Sequence, residues 1–372
     1  MSSACGQCAR RAWLLERLNV ALDFRARDLA RFWRLLELSD DELIDAIGGR
    51  RRGELREDYK RWKPSDAAAH HALSTTCVHR SSYPRSLRGN ALAPRALGVR
   101  EGVERLESIL EGGIVAIVGT RRASDYGMET ARELSRGLAA SGVTVSSGFG
   151  EGIAAAVHTG ALEAGGQTLA VVAGGLERCS PAWCRGLYRR ILQDGCAISE
   201  LLDGDGPRSR GWWQPARDRT LALLAGLVIV VEAREHPWEL ACARVAQMRG
   251  TPVAAVPGRV TSTASTGSNS LLMEGARLVR GPRDALDALY GVAAREPPGA
   301  AGDTASAATE IGPRLARVLA LVGNGRDTPA KLAADLKDSG AIALALIELE
   351  LAGLVVRGDG GRYLPSARAA AA

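Results

Sequence analysis

Between residues 114 and 256 the chain alternates two patterns of hydrophobic and polar positions. Short runs dominated by apolar and β-branched residues fall at 114–118, 143–147, 168–172, 197–199, 227–231 and 253–256. Between them, apolar positions recur every three or four residues, as helices require, notably over 153–164, 184–194, 217–225 and 238–249. Strands this short, apolar on both sides and separated by helices, predict an α/β fold: a parallel sheet with helices on both faces. Ligands of such sheets bind at the carboxyl ends of the strands, so the turns there are where function is expected.

The flanks read differently. Over residues 10–60, Trp13, Leu14, Leu18, Leu22, Phe32, Leu35, Leu36, Leu43 and Ile47 recur at helical spacing. Ser39-Asp-Asp-Glu42 reads as a capping box, and Gly48-Gly49 as a stop. A small N-terminal helical module is expected over 1–63, then a connecting segment over 64–113 with turn signals at Ser82-Tyr-Pro84, Ala93-Pro94 and Gly112-Gly113. The sheet-bearing core is expected over 114–291. Residues 292–312, rich in Ala, Pro, Gly and Ser, read as a linker. Over 313–366, three helical stretches followed by a two-stranded hairpin give the pattern of a winged helix. Its third helix carries Glu348 and Glu350 and no arginine, which suits protein contacts or dimer packing better than a DNA major groove.

Composition narrows the classes. The 372 residues carry a net charge of +6, which permits a nucleic-acid partner without requiring one. Three Phe in the whole chain argue against an aromatic platform on which successive bases stack, so a nucleic acid would be held through its phosphates. No run approaches the ~18 apolar residues of a membrane helix. Charge in the first 18 residues leaves no room for a signal-peptide core, and a cytoplasmic protein is expected. Seven cysteines, an odd and scattered set, do not suggest a secreted disulfide framework. Cys5-x-x-Cys8 nevertheless has zinc-ligand spacing, and Cys77-Val-His79 could complete a tetrahedral set; the competing reading is reduced, unrelated thiols. No other cofactor is called for.

The candidate chemistry lies at two turns. Gly119-Thr-Arg-Arg122 follows the first apolar run, where glycine lets the backbone approach a ligand, Thr120 offers a hydroxyl and Arg121 can grip a phosphate with two prongs. After the second run, Gly148, Gly150 and Gly152 sit at every second residue before a helix, a spacing that can turn backbone N–H groups toward one anion. His158, on that helix, reads as a structural side chain first and a ligand contact second. Neither G-x-G-x-x-G nor G-x-x-x-x-G-K-[ST] occurs, which argues against a nicotinamide-dinucleotide site and a nucleotide-driven motor. Further strand ends at Ala173-Gly-Gly175, Glu232-Ala233 and Pro257-Gly258, and the pair Arg217 and Arg219, extend the same edge.

Together these segments resemble the DNA-processing protein A family, DprA, also called Smf. The resemblance runs through IVAIVGTRRASDYG, VTVSSGFGEGIAAAVHTGAL, GGQTLAVVAGGLERCSP, ISE, RDRTLALLAGLVIVVEA, GTPVAAVPG and STGSNSLLMEGA, in order across the middle of the chain. It implies a Rossmann-like, non-enzymatic, homodimeric protein that binds single-stranded DNA and loads the RecA recombinase onto it in natural transformation. It implies a DNA-phosphate site made by Gly119, Thr120, Arg121, Ser147, Gly148, Gly150, Gly152, Arg217, Arg219 and Asn269. Three departures stand out: Ala154 replaces the Asp of the family's G-I-D, Asp218 replaces the Asn of R-N-R, and Pro237-Trp-Glu-Leu-Ala-Cys-Ala243 replaces a small, hydroxyl-rich S-G-S-L-[IV]-T-A loop. Trp238 there reads as filling a gap or stacking on a base, and Glu239 as unfavourable beside a phosphate. The alternative is a small-nucleotide sensor or nucleoside-phosphate-processing enzyme on a related fold, with Glu232 as its acid or base.

Overall fold

A computed structural model describes residues 4–63, 73–176, 184–202, 213–291, 312–323, 326, 328–336, 339–352, 354–357 and 363–365. Two compact units divide the chain, residues 1–295 and 296–372.

The first unit is built on a nine-stranded sheet. Its strands are β1 (Ser74–Cys77), β2 (Ala96–Val99), β3 (Ile114–Val118), β4 (Thr144–Gly148), β5 (Thr168–Val171), β6 (Cys196–Ser199), β7 (Leu227–Val230), β8 (Val253–Ala255) and β9 (Arg277–Leu278). Their spatial order is β1-β2-β6-β5-β4-β3-β7-β8-β9. All neighbours from β6 to β9 are parallel, and β2 and β1 add two antiparallel strands at one edge. The stretch 64–113, expected only to connect, therefore contributes two strands of the sheet. From β3 the chain moves outward through β4, β5 and β6, then returns to set β7 on the opposite side of β3. The carboxyl ends of β3 and β7 thus flank a topological switch point, the crevice where such sheets bind ligands.

The apolar runs form central strands because both of their faces are covered. Val115 and Ile117 of β3 pack with Leu134, Leu138, Val157 and Ala161 of α7 (Asp125–Ala140) and α8 (Ile153–Glu163). Ala116 and Val118, pointing the other way, share a core with α10 (Trp213–Leu224), α11 (Ala241–Arg249) and the N-terminal helices. Those are α1 (Gly6–Arg17), α2 (Asn19–Arg25), α3 (Leu29–Glu37), α4 (Asp40–Ile47) and α5 (Arg52–Arg61). Leu14, Leu22, Phe32, Leu43 and Ile44 are fully buried in this core. The helical module is thus continuous with one face of the sheet. The Ser39 capping box is present, with Ser39 and Glu42 each bonding the other's backbone N–H. The remaining helices of this unit are α6 (Val103–Leu110), α9 (Arg185–Asp194), α12 (Thr266–Met273) and α13 (Pro282–Tyr290).

In the second unit, α14 (Pro313–Gly323), α15 (Pro329–Leu336) and α16 (Ser339–Leu351) precede the antiparallel pair β10 (Val355–Arg357) and β11 (Tyr363–Pro365). Val318, Val322, Leu332, Ile342, Leu346, Leu349 and Val355 form its own core. The linker expected at 292–312 lies, apart from Gly312, outside the described residues.

Two helices cross closely beside β4. A Cβ placed on Gly160 of α8 would stand 2.2 Å from the carbonyl oxygen of Arg132 on α7, so backbone meets backbone. Replacing Gly160 by Ala forces these helices apart, and overpacking of this kind costs about 1–3 kcal/mol. Gly160→Ala is expected to lower the unfolding free energy by that amount, read as a fall in the urea midpoint at unchanged slope. Gly186→Ala, where the added methyl meets open space, leaves the midpoint unchanged or raises it.

A paired-arginine cleft at the sheet's switch point

The turn after β3 is fixed by β7 and by the residues that follow it. Thr120 donates its N–H to the carbonyl of Glu232 at 2.7 Å, and Ile153, the first residue of α8, donates to the carbonyl of Thr120 at 3.2 Å. A Cβ on Gly119 would lie 2.6 Å from the Glu232 carbonyl and 2.7 Å from Ile153, so only glycine fits there. The Glu232 carboxylate, buried, accepts from the N–H of Ser124 at 2.9 Å and from its hydroxyl at 2.6 Å. Ser124 Oγ in turn accepts from Gly127 N–H and caps α7. Both Glu232 oxygens are therefore committed to the turn, and the acid or base role considered for this residue does not suit its place.

The glycine loop after β4 lies against this turn. Gly152 has φ +71°, and a Cβ there would stand 2.4 Å and 2.5 Å from the carbonyls of Arg121 and Thr120. Gly150, at φ +149°, faces open space. The Gly148 position abuts the Arg217 guanidinium, 2.8 Å from a Cβ placed on it. His158 is wholly buried and braces the loop from behind: its Nε2 is 2.8 Å from the Gly148 carbonyl and its Nδ1 2.7 Å from Thr168 Oγ1. With Nε2–H donating to Gly148, a neutral ring takes the single Thr168 hydroxyl proton on Nδ1, in competition with the Val145 carbonyl 2.9 Å from the same hydroxyl. Burial, against a smaller opposing effect of the Gly148 hydrogen bond, draws its pKa down from 6.5 to about 4.

A cleft of about 520 Å³ opens between the two strand ends. Gly119, Thr120, Arg121 and Arg122 form one wall, Glu151 and Arg217 another, and Arg234, His236, Trp238 and Glu239 close it. Its cations are largely spoken for. Arg121 donates to Glu151 at 2.9 Å, Arg217 to Asp218 at 2.6 Å, and Arg234 to Glu239 at 2.7 Å. Asp218 is buried, which raises its carboxyl pKa, while Arg217 pulls it back down. Among the described residues, no ion pair holds the fourth arginine, Arg122. Arg121 and Glu151 are about half exposed, and a pair of that kind contributes only about 0–1 kcal/mol, so an incoming anion displaces it readily.

Of the ten expected ligands, Gly119, Thr120, Arg121 and Arg217 line the cleft; from the glycine loop only Glu151 reaches it, not Gly148, Gly150 or Gly152, and three side chains lie elsewhere. Arg219 is 3% exposed, paired with the buried Glu200 and stacked at 5.9 Å on Trp33. Breaking such a buried pair costs about 3–5 kcal/mol, too much for Arg219 to be lent to a phosphate. Ser147 is buried and donates to the Ile117 carbonyl at 2.7 Å. Asn269 bonds both backbone groups of Gly258, at 3.0 and 3.1 Å, and braces that loop. Neither lines the cleft. Trp238 fills rather than stacks: its Nε1–H donates to the Ala26 carbonyl at 2.8 Å and its ring packs on the N-terminal core. Arg122, Glu151, Arg234 and His236 line the cleft without belonging to the set that the resemblance implies. Arg234 was within reach of a sequence reading, because it stands two residues beyond the Glu232 strand end. Cys5, Cys8, Cys77 and His79 do converge, at a separate place.

A mostly parallel sheet with glycine-rich turns and arginines at its switch point defines a Rossmann-like α/β protein. The model of the family described as DNA recombination-mediator protein A matches residues 74–290, and the chain belongs to that family. It is 39% identical over 211 residues to the putative DNA processing protein DprA of Mycobacterium tuberculosis, covering 56% of this chain and 54% of that one. To the Smf protein of Escherichia coli it is 33% identical over 207 residues, again covering 56% and 54%. The chain thus spans about half the length of these curated relatives. The crystal structure of DprA from Streptococcus pneumoniae superposes with a TM-score of 0.59 at 26% identity, covering 75% of this chain and 95% of that one. A DprA structure from Helicobacter pylori, described for its single-stranded DNA binding mode, gives 0.50 at 25% identity, covering 58% and 95%. Among the described residues no helix is long and apolar enough to cross a membrane.

The buried His158 predicts a pH dependence. The folded protein keeps the ring neutral down to about pH 4, while an unfolded chain protonates near 6.5. Its contribution is complete above pH 6.5 and is lost as the pH falls from there toward 4. Between pH 7 and 5 the urea midpoint of the parent is expected to fall more steeply than that of His158→Gln.

Proposed function

We propose that this protein is a single-stranded DNA-binding recombination mediator, with the cleft between β3 and β7 as its phosphate site. The observation that carries the reading is the set of four arginines around the Gly119 and Gly152 turns, at the one crevice the sheet topology favours. Family membership and the single-stranded DNA binding of the Helicobacter pylori relative support it. Arg121, Arg122 and Arg217 neutralise successive phosphates, and the backbone of Gly119, with Glu151 of the glycine loop, bounds the groove. The task is binding, not bond cleavage: Glu232, the carboxylate at the strand end, is occupied by Ser124. In the finer form of the proposal, the protein acts as a cytoplasmic homodimer that protects incoming strands and hands them to RecA during transformation. The C-terminal unit then serves as a winged helix that contacts protein.

The pre-formed ion pairs set the terms of binding. At Arg121 and Arg217 a phosphate competes with a carboxylate while Arg122 is held by no ion pair among the described residues, so removing a carboxylate without disturbing its arginine favours DNA. Fluorescence anisotropy with oligo-dT across a salt series tests this. Arg121→Ala is expected to weaken binding and to reduce the slope of log K against log salt by ~0.7, the value for one single-strand phosphate contact. Glu239→Gln and Asp218→Asn are expected to tighten binding severalfold. Affinity unchanged in all three variants would rule out the cleft, and a thermal shift with a mononucleotide but none with oligo-dT would favour a nucleotide sensor.

A further inference from the structure

The N-terminus carries a second cluster that the DNA site does not use. Cys5 stands at the N-cap of α1 and Cys8 three residues on, so one helical turn presents both sulfurs on one side. Cys77 is the last residue of the edge strand β1, and His79 lies in the turn that follows. The three Sγ atoms and one imidazole nitrogen all lie within 4.8 Å of one another. His79 Nδ1 is 3.2 Å from Cys5 Sγ and 3.4 Å from Cys8 Sγ. Zn–S bonds near 2.3 Å and Zn–N bonds near 2.0 Å, set at tetrahedral angles, place S and N about 3.5 Å apart. Two sulfurs sharing one imidazole nitrogen at nearly that spacing is the geometry of a common metal, which a disulfide between two of the three thiols would not produce.

The surroundings are built to hold these four groups. The Cys5 N–H points at Cys77 Sγ, 3.3 Å away, and the Ala4 N–H donates to Thr75 Oγ1 at 2.8 Å, tying the start of α1 to β1. The turn carrying His79 is closed by Arg80 N–H on the Cys77 carbonyl at 2.8 Å. Arg88 holds the same turn through the carbonyls of Arg80, Ser81 and Tyr83. Cys8 and Cys77 are fully buried with Ala96, while His79 reaches the surface. Four protein donors leave no coordination position for substrate, so the site is closed and structural.

We infer that Cys5, Cys8, Cys77 and His79 bind one zinc ion that clamps the N-terminal helices to the edge of the sheet. The two ligand pairs lie about 70 residues apart, so the metal closes a long loop. It also fixes the module that supplies the Ala26 carbonyl to Trp238 at the DNA cleft.

Full-length protein purified under reducing conditions without chelator tests this by elemental analysis. About one zinc per chain is expected, falling at least tenfold in Cys8→Ser and Cys77→Ser and persisting in Cys196→Ser, a buried thiol outside the cluster. Because a ligand variant can fail to fold, a second measurement uses the parent chain reloaded with cobalt. Thiolate-to-cobalt charge transfer and the ligand-field bands of a tetrahedral site are expected, and His79→Cys should keep the metal while shifting those bands. Zinc well below one equivalent together with no cobalt spectrum would overturn the inference. So would a disulfide among Cys5, Cys8 and Cys77 in freshly purified protein, or full zinc retention in the Cys8→Ser, Cys77→Ser double variant.

Discussion

The functional edge of this protein depends on how Glu232 holds the turn after the first parallel strand. Its backbone carbonyl receives the N–H of Thr120, and its carboxylate receives both donors of Ser124. One buried residue therefore sets the exit of β3 and the entry of α7. A charge-assisted hydrogen bond contributes about 1.5–3 kcal/mol, and two converge here within a few residues. Everything packed near that carboxylate is constrained by it. Gly127 has no room for a methyl, since a Cβ would fall 2.3 Å from Glu232 Oε2. Gly119 has none because of the carbonyl of the same residue. The two arginines of the turn are thereby carried to the cleft by the backbone, and Glu151 then holds Arg121 there.

The cleft itself is a balance between attraction and self-neutralisation. Four arginines face three carboxylates, and two of those carboxylates, Asp218 and Glu239, stand where the resemblance leads one to expect an amide and a small, hydroxyl-rich loop. The loop at 237–243 is bulky, but its bulk is directed inward, onto the N-terminal helices, so the opening survives. What changes is the charge: an anion must compete for guanidinium groups that already have partners.

Much of this was legible in the sequence. The six apolar runs became central strands at nearly the expected positions because each is covered on both faces, and burial of that kind leaves an unmistakable pattern. The edges were harder to read. β1 is Ser-Thr-Thr-Cys and β9 is Arg-Leu, short and polar, since an edge strand has fewer neighbours to satisfy. The fate of Arg219 was within reach of elementary geometry. Two residues along a helix amount to about 200° of rotation, so Arg217 and Arg219 cannot both face one cleft. Resemblance grouped them, and helical periodicity separates them. Glu232 escaped because its work is done through a contact with Ser124, 108 residues away, that no local pattern encodes.

The hydrogen bond from Trp238 to the Ala26 carbonyl joins residues 212 apart in the chain. It gives the loop that borders the cleft an anchor in the opening helices, so the sheet-bearing core is not an exchangeable module. Grafted into a relative without its own first 63 residues, the core would carry an indole with neither its acceptor nor its apolar bed beside the site that holds charge. The fit of Trp238 beside the cleft is therefore decided by where the backbone at Ala26 lies, not by which side chain stands there.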